Sequence, residues 1–208
     1  MGWLWYGVRT PKCVPLDRDA YPETVYDGQL IPWPPWACKA PDGGVHYNAS
    51  LASIDIAVAS KPRGRYEFGW NCDFQVFLLR RSWFSRIEDL VEASDRVGHG
   101  RLFLKGEPLD DWATIHGRRP PPLTASEGWT KVCPICGRPY TLMHGRVFFS
   151  DPAVRDMPLI VNGAGIFVRE DEVRRRNLPP PLGAYKPRIV RLEMPGEKRA
   201  ARPGRARP

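Results

Sequence analysis

No stretch of this 208-residue chain approaches the roughly eighteen consecutive apolar residues that a membrane-spanning helix needs. The start, Met1-Gly-Trp-Leu-Trp-Tyr, also lacks the basic segment and apolar core of a secretory leader. A myristoylated Gly2 would want Ser or Thr at position 6, where Tyr6 stands. These absences lead to the expectation of a cytoplasmic protein with no membrane partner. Cysteines are few and odd in number: Cys13, Cys38, Cys72, Cys133 and Cys136. A scattered odd set in a reducing compartment does not make a disulfide framework and points instead to a metal or to buried thiols. There is no internal repeat. The Gly163-Ala-Gly165 segment is too short for a dinucleotide-binding loop and reads as a hairpin turn.

Proline and glycine, by contrast, are abundant, with 23 and 19 residues. Together with a hydrophobic content of 42% they imply many turns around a modest core. The length suits one α+β domain over residues 1–197, with a mainly antiparallel sheet, one or two packed helices and a CPxCG knuckle inserted at 131–145. The net charge of +8 looks like a nucleic-acid signal until it is located. Residues 198–208 carry five of these positive charges and no acid, which leaves +3 for residues 1–197. That tail is too polar and too rich in Pro and Gly to pack, and is expected to be disordered.

Along the chain, Trp3 to Val8 is aromatic and β-branched and reads as an opening strand. Residues 15–45 hold six prolines among aromatics, which excludes a long helix or a central strand. Trp33-Pro-Pro-Trp36 within it reads as a loop pinned to the core by its rings. Alternation at Ile54, Ile56 and Val58, and again at Tyr66, Phe68 and Trp70, predicts antiparallel strands with one buried face. Phe74 to Leu79 continues that sheet. Trp83, Phe84, Ile87, Leu90 and Val91 then recur at helical spacing, predicting a helix over 83–93 with Ser82 as its cap. A strand at Leu102–Leu104 follows. Residues 106–130, polar and proline-rich, read as an extended linker. Three short β segments at 145–149, 158–161 and 165–168 come next, and then a helix from Glu170. Its acids come first and its arginines last, an order that complements the helix dipole. Pro187 to Leu192 reads as a closing strand.

One motif names a chemistry. In Cys133-Pro-Ile-Cys-Gly-Arg-Pro-Tyr140 two sulfurs lie three positions apart, with a glycine after the second, so both can face one cation from a tight turn. A structural zinc site wants four ligands in tetrahedral array, and only one such pair is local. His144, on the returning chain, is the nearest candidate third ligand, and Cys13, Cys38 and Cys72 are distant ones. Redox catalysis is disfavoured, because Gly137 and Pro139 make a poor helix start after the second cysteine. Asp110-Asp111 with His116 offers the raw material of an acid–base pair, but adjacent loop carboxylates are ordinarily just solvated. Asp151 and Asp156 read as turn residues.

The stretch Gly128-Trp-Thr-Lys-Val-Cys-Pro-Ile-Cys-Gly-Arg-Pro-Tyr140, followed by Asp151, a short strand and Gly165-Ile-Phe-Val-Arg-Glu-Asp-Glu-Val-Arg175, resembles bacterial immunity proteins of polymorphic toxin systems. The resemblance is to the family with two CxxCG motifs, over residues 128–176. In this chain the early CxxCG is absent and Cys13 stands alone in that region. The resemblance implies a protein without catalytic activity that sequesters a cognate toxin. The rival expectation is a zinc-ribbon protein that binds nucleic acid through the basic C-terminal tail.

Overall fold

Val76–Arg80 reads Val-Phe-Leu-Leu-Arg and is buried at every position but the last. Successive strand residues point to opposite faces, so a run that is apolar on both needs cover on both sides. The computed structural model describes residues 1–7, 13–21, 23–26, 29–39, 45–62, 65–71, 74, 76–182, 184 and 186–193; Val8, Cys72 and the basic tail lie outside the described residues. In it the strand lies inside a six-stranded mixed sheet. The order is Cys13–Val14, Phe68–Asn71, Val76–Arg80, Glu107–Gly117, Val97–Leu104 and Ile56–Val58. Inner pairs are antiparallel and the two edge pairs are parallel. Phe77 and Leu79 face one core, while Val76 and Leu78 face another. The mainly antiparallel α+β class expected from the sequence is what the fold shows, whereas the pairing of the two alternating runs with one another and the single buried face are corrected. The runs around Ile56 and Phe68 are separated by three strands, and the sheet is covered on both sides.

Residues 106–130 depart furthest from expectation. Instead of a linker they form Glu107–Gly117 and much of the next strand, Leu123–Val132. The first turns back over Lys105-Gly106, both at positive φ (53° and 83°), the geometry of a two-residue hairpin turn. Trp112 to Gly117 are buried at every position, which places this strand at the heart of the sheet.

A second sheet, wholly antiparallel, runs Leu159–Asn162, Gly165–Arg169, Gly2–Tyr6 and Arg188–Arg191. The opening strand therefore sits inside it and the closing strand at its edge. Tyr6, Val161, Ile166 and Val168 meet Phe77, Leu79 and Ile115 between the two sheets. Trp3, Ile160, Phe167 and Val190 pack on the far side with Phe149 and Leu123.

Trp83, Phe84, Ile87, Leu90 and Val91 are buried as their spacing predicts. The helix itself is broken into Arg81–Phe84 and Glu88–Glu92, and neither start carries a side-chain cap. Glu170–Arg175 is the third helix, and Arg176 just after it bridges Glu172 (3.0 Å) and Asp89 (2.7 Å). The proline-rich N-terminal third folds into two short hairpins, Glu23–Tyr26 with Gln29–Pro32 and Ala37–Lys39 with Val45–Tyr47. Trp36 is buried edge-on against Phe74, with ring centroids 4.9 Å apart. No helix among the described residues is long and apolar enough to cross a membrane.

Candidate metal centre

The CPxCG segment is the tip of a long hairpin, Leu123–Val132 with Pro139–Phe149, whose last cross-strand pair is Val132 with Pro139. Two backbone bonds close the tip. Cys133 N–H donates to the Arg138 carbonyl and Gly137 N–H to the Cys133 carbonyl, both at 2.8 Å. Gly137 has φ +76°, which an L side chain rarely adopts, and its open side is occupied by the Arg119 side chain. The glycine after the second cysteine is thereby explained twice, by backbone conformation and by space.

The short hairpin supplies the other half. Cys38 and His46 are directly paired across its strands, and directly opposed residues present their side chains on the same face. Facing the knuckle, they complete a cluster of Cys38, His46, Cys133 and Cys136 whose ligand atoms all lie within 4.8 Å of one another. Cys38 Sγ is 4.0 Å from Cys133 Sγ, and His46 Nε2 is 3.2 Å from Cys136 Sγ. Bonds of about 2.3 Å from sulfur to a tetrahedral zinc imply sulfurs about 3.8 Å apart, so the cluster has the dimensions of such a site. All four residues are buried within the core that also holds Trp36, Tyr47 and Phe74.

Buried thiols need a reason to ionise. Burial, helped by the neighbouring Cys136 and Cys133 sulfurs, pushes the Cys38 thiol up to about 12. Burial acts the same way on Cys133, but hydrogen bonds from the backbone N–H groups of Cys136 and Ile135, together with those from the Cys136 and Cys38 side chains, outweigh it and hold that thiol below its ordinary value. A divalent cation would favour the thiolate form of the cysteines around it. Three thiolates around a dication would leave one negative charge. Arg138, itself buried, lies in the same pocket with its guanidinium 4.3 Å from the Tyr47 ring centre. A buried guanidinium two residues after Cys136 has the sign that such a centre would call for.

The structure brings together Cys133, Cys136 and the distant candidate Cys38. His46 was not legible by local spacing; its signal is its register opposite Cys38. His144 sits opposite Glu127 in the returning strand, and its side chain lies outside the described residues. Cys13 pairs in strand register with Trp70, and its side chain likewise lies outside them, as does the whole of Cys72. Asp111 makes ion pairs with Lys61 and Arg80 at the surface. His116 is five residues further along the same strand, about 16 Å at the usual rise. It is fully buried, and its Nε2 donates to the Leu51 carbonyl. The Asp110-Asp111 pair and His116 therefore do not meet. Asp151 caps the 3-10 turn Pro152–Asp156 by accepting from Ala153 N–H. No protein-family model and no curated protein sequence matches the chain.

Proposed function

We propose that the four-residue cluster holds a structural zinc ion and that the protein is a non-catalytic binding protein, an immunity protein that covers a cognate bacterial toxin. The observation that carries this reading is the completeness of the shell. Three cysteines and one histidine, all buried, supply four protein ligands, whereas a catalytic zinc keeps a position open for water or substrate. Such a centre fixes a surface rather than performing a reaction. The knuckle also carries Val132 and Ile135 outward, 52% and 66% exposed on either side of the buried Cys133. Apolar side chains held out by a rigid tip suit protein contact.

Elemental analysis of the purified chain should find one zinc ion per molecule. Cys38→Ser and His46→Ala should each lose it, whereas His144→Ala should retain it. For the role itself, a polymorphic toxin encoded beside this chain should arrest growth of a surrogate bacterium unless the chain is co-expressed. Ile135→Glu should weaken that protection while keeping the metal. Deleting residues 198–208 should leave protection intact. Protection lost together with heparin retention on that deletion would favour the nucleic-acid reading instead.

A further inference from the structure

Three arginines gather at one place on the molecule. Arg80, Arg101, Arg169, Arg175 and Arg176 all pair with carboxylates. Arg96, Arg118 and Arg119 make no ion pair with a carboxylate among the described residues, and together they line a cleft of about 400 Å³. The turn after the metal-binding hairpin contributes Ala49 and Ser50, and Asp95 completes the wall. Backbone bonds fix these segments to one another: Arg118 N–H donates to the Arg96 carbonyl and Arg119 N–H to the Ala49 carbonyl, both at 2.8 Å. Arg96 Nη1 donates to the Arg119 carbonyl at 2.9 Å.

Arg118 is anchored at its base: its Nε is buried, with no hydrogen-bond partner among the described residues. Arg119 is held at φ +43°, a left-handed conformation that a non-glycine residue adopts at a cost. Its side chain then lies along Gly137 of the knuckle. The cleft is thus lined by arginines from two segments, Arg96 and Arg118-Arg119.

We infer that this cleft binds a small phosphate-bearing anion. Three arginines against Asp95 leave two positive charges, which matches the charge of roughly −1.5 to −2 on a phosphate monoester near neutral pH. Guanidinium forks are the donors best shaped for phosphate oxygens. A single carboxylate would leave half of this charge unanswered. The volume exceeds what bare phosphate needs and leaves room for a small organic group. Among the described residues no aromatic ring lines the cleft, so they offer no platform for stacking the bases of a nucleic acid. This site is independent of the toxin-binding reading.

The test is calorimetric titration of the intact, metal-loaded chain with inorganic phosphate, O-phosphoserine and acetate, followed by a single-stranded oligonucleotide. Phosphate and phosphoserine should saturate the protein at one site, with acetate at least about tenfold weaker. Arg118→Ala should weaken phosphate about tenfold or more, and Arg118→Lys should fall between the two, with zinc content unchanged. Arg96→Gln, at an exposed position, should weaken it too and guards against loss of folding in the Arg118 variants. Phosphate binding no tighter than acetate would overturn the inference. So would unchanged affinity in folded Arg118→Ala and Arg96→Gln, or binding of the oligonucleotide alone.

Discussion

His116 is an imidazole in a place where charge is expensive. Burial pushes it down to about 4, against an ordinary value near 6.5. Between about pH 6.5 and 4 the unfolded chain therefore takes up a proton that the folded chain refuses. The stability this residue contributes is whole above that window and falls as the pH drops through it, by about 3 kcal/mol in all. Urea unfolding of the wild-type chain and of His116→Gln, compared at about pH 7 and 4.5, isolates this residue, because acid release of metal is common to both chains. The wild type should lose about 2–3 kcal/mol more than the variant; equal losses would assign the acid sensitivity elsewhere. At this scale half of the metal site was legible. Cys133 and Cys136 lie on one turn, so their spacing alone says they converge. Cys38 and His46 converge only because two strands pair, and seven intervening residues do not announce which positions will be opposite.

At the scale of elements, the knuckle depends on Gly137. An added Cβ there would adopt a disfavoured left-handed conformation and would sit 3.1 Å from Arg119 Cγ. Gly137→Ala should cost about 1–2 kcal/mol in urea unfolding of the metal-loaded chain; a change near zero would show that the tip relaxes freely. The elements that could be read were those whose pattern was undisturbed by proline. The amphipathic positions from Trp83 to Val91, the acid-first helix at Glu170 and the strands flanking the Gly163 turn all declare themselves by periodicity. Glu107–Gly117 and Leu123–Val132 did not. Pro108 and the Pro120-Pro-Pro122 run suggested a linker, yet the first proline falls at an exposed strand start and the others fall between the two strands. The pairing of the Ile56 and Phe68 runs was hidden for a different reason. Alternation reports that a segment is a strand, but neighbours are chosen by the topology of the whole sheet.

Across the whole molecule, pairs distant in sequence hold the structure together. The metal cluster ties residues 38 and 46 to 133 and 136. Trp3 lies between Arg169 and Val190 in the four-stranded sheet. Val190 is buried beside Trp3 in the core on that sheet's outer side. A chain ending at residue 186 should therefore aggregate or fail to show a cooperative melt, whereas one ending at 197 should melt like the full chain. Similar melting of both would show that the closing strand is dispensable.

The position of the first strand also sets a clock. Its segment is made some 185 residues before its second neighbour is complete, at Arg191. At about 5–20 residues per second, synthesis takes some 10–40 s to cover that distance. Until Gly165–Arg169 has been made, Trp3, Trp5 and Tyr6 have no strand to pair with on either edge, and one edge stays open until Arg188–Arg191 follows. The four-stranded sheet can thus close only when its last-made strand reaches its first-made one.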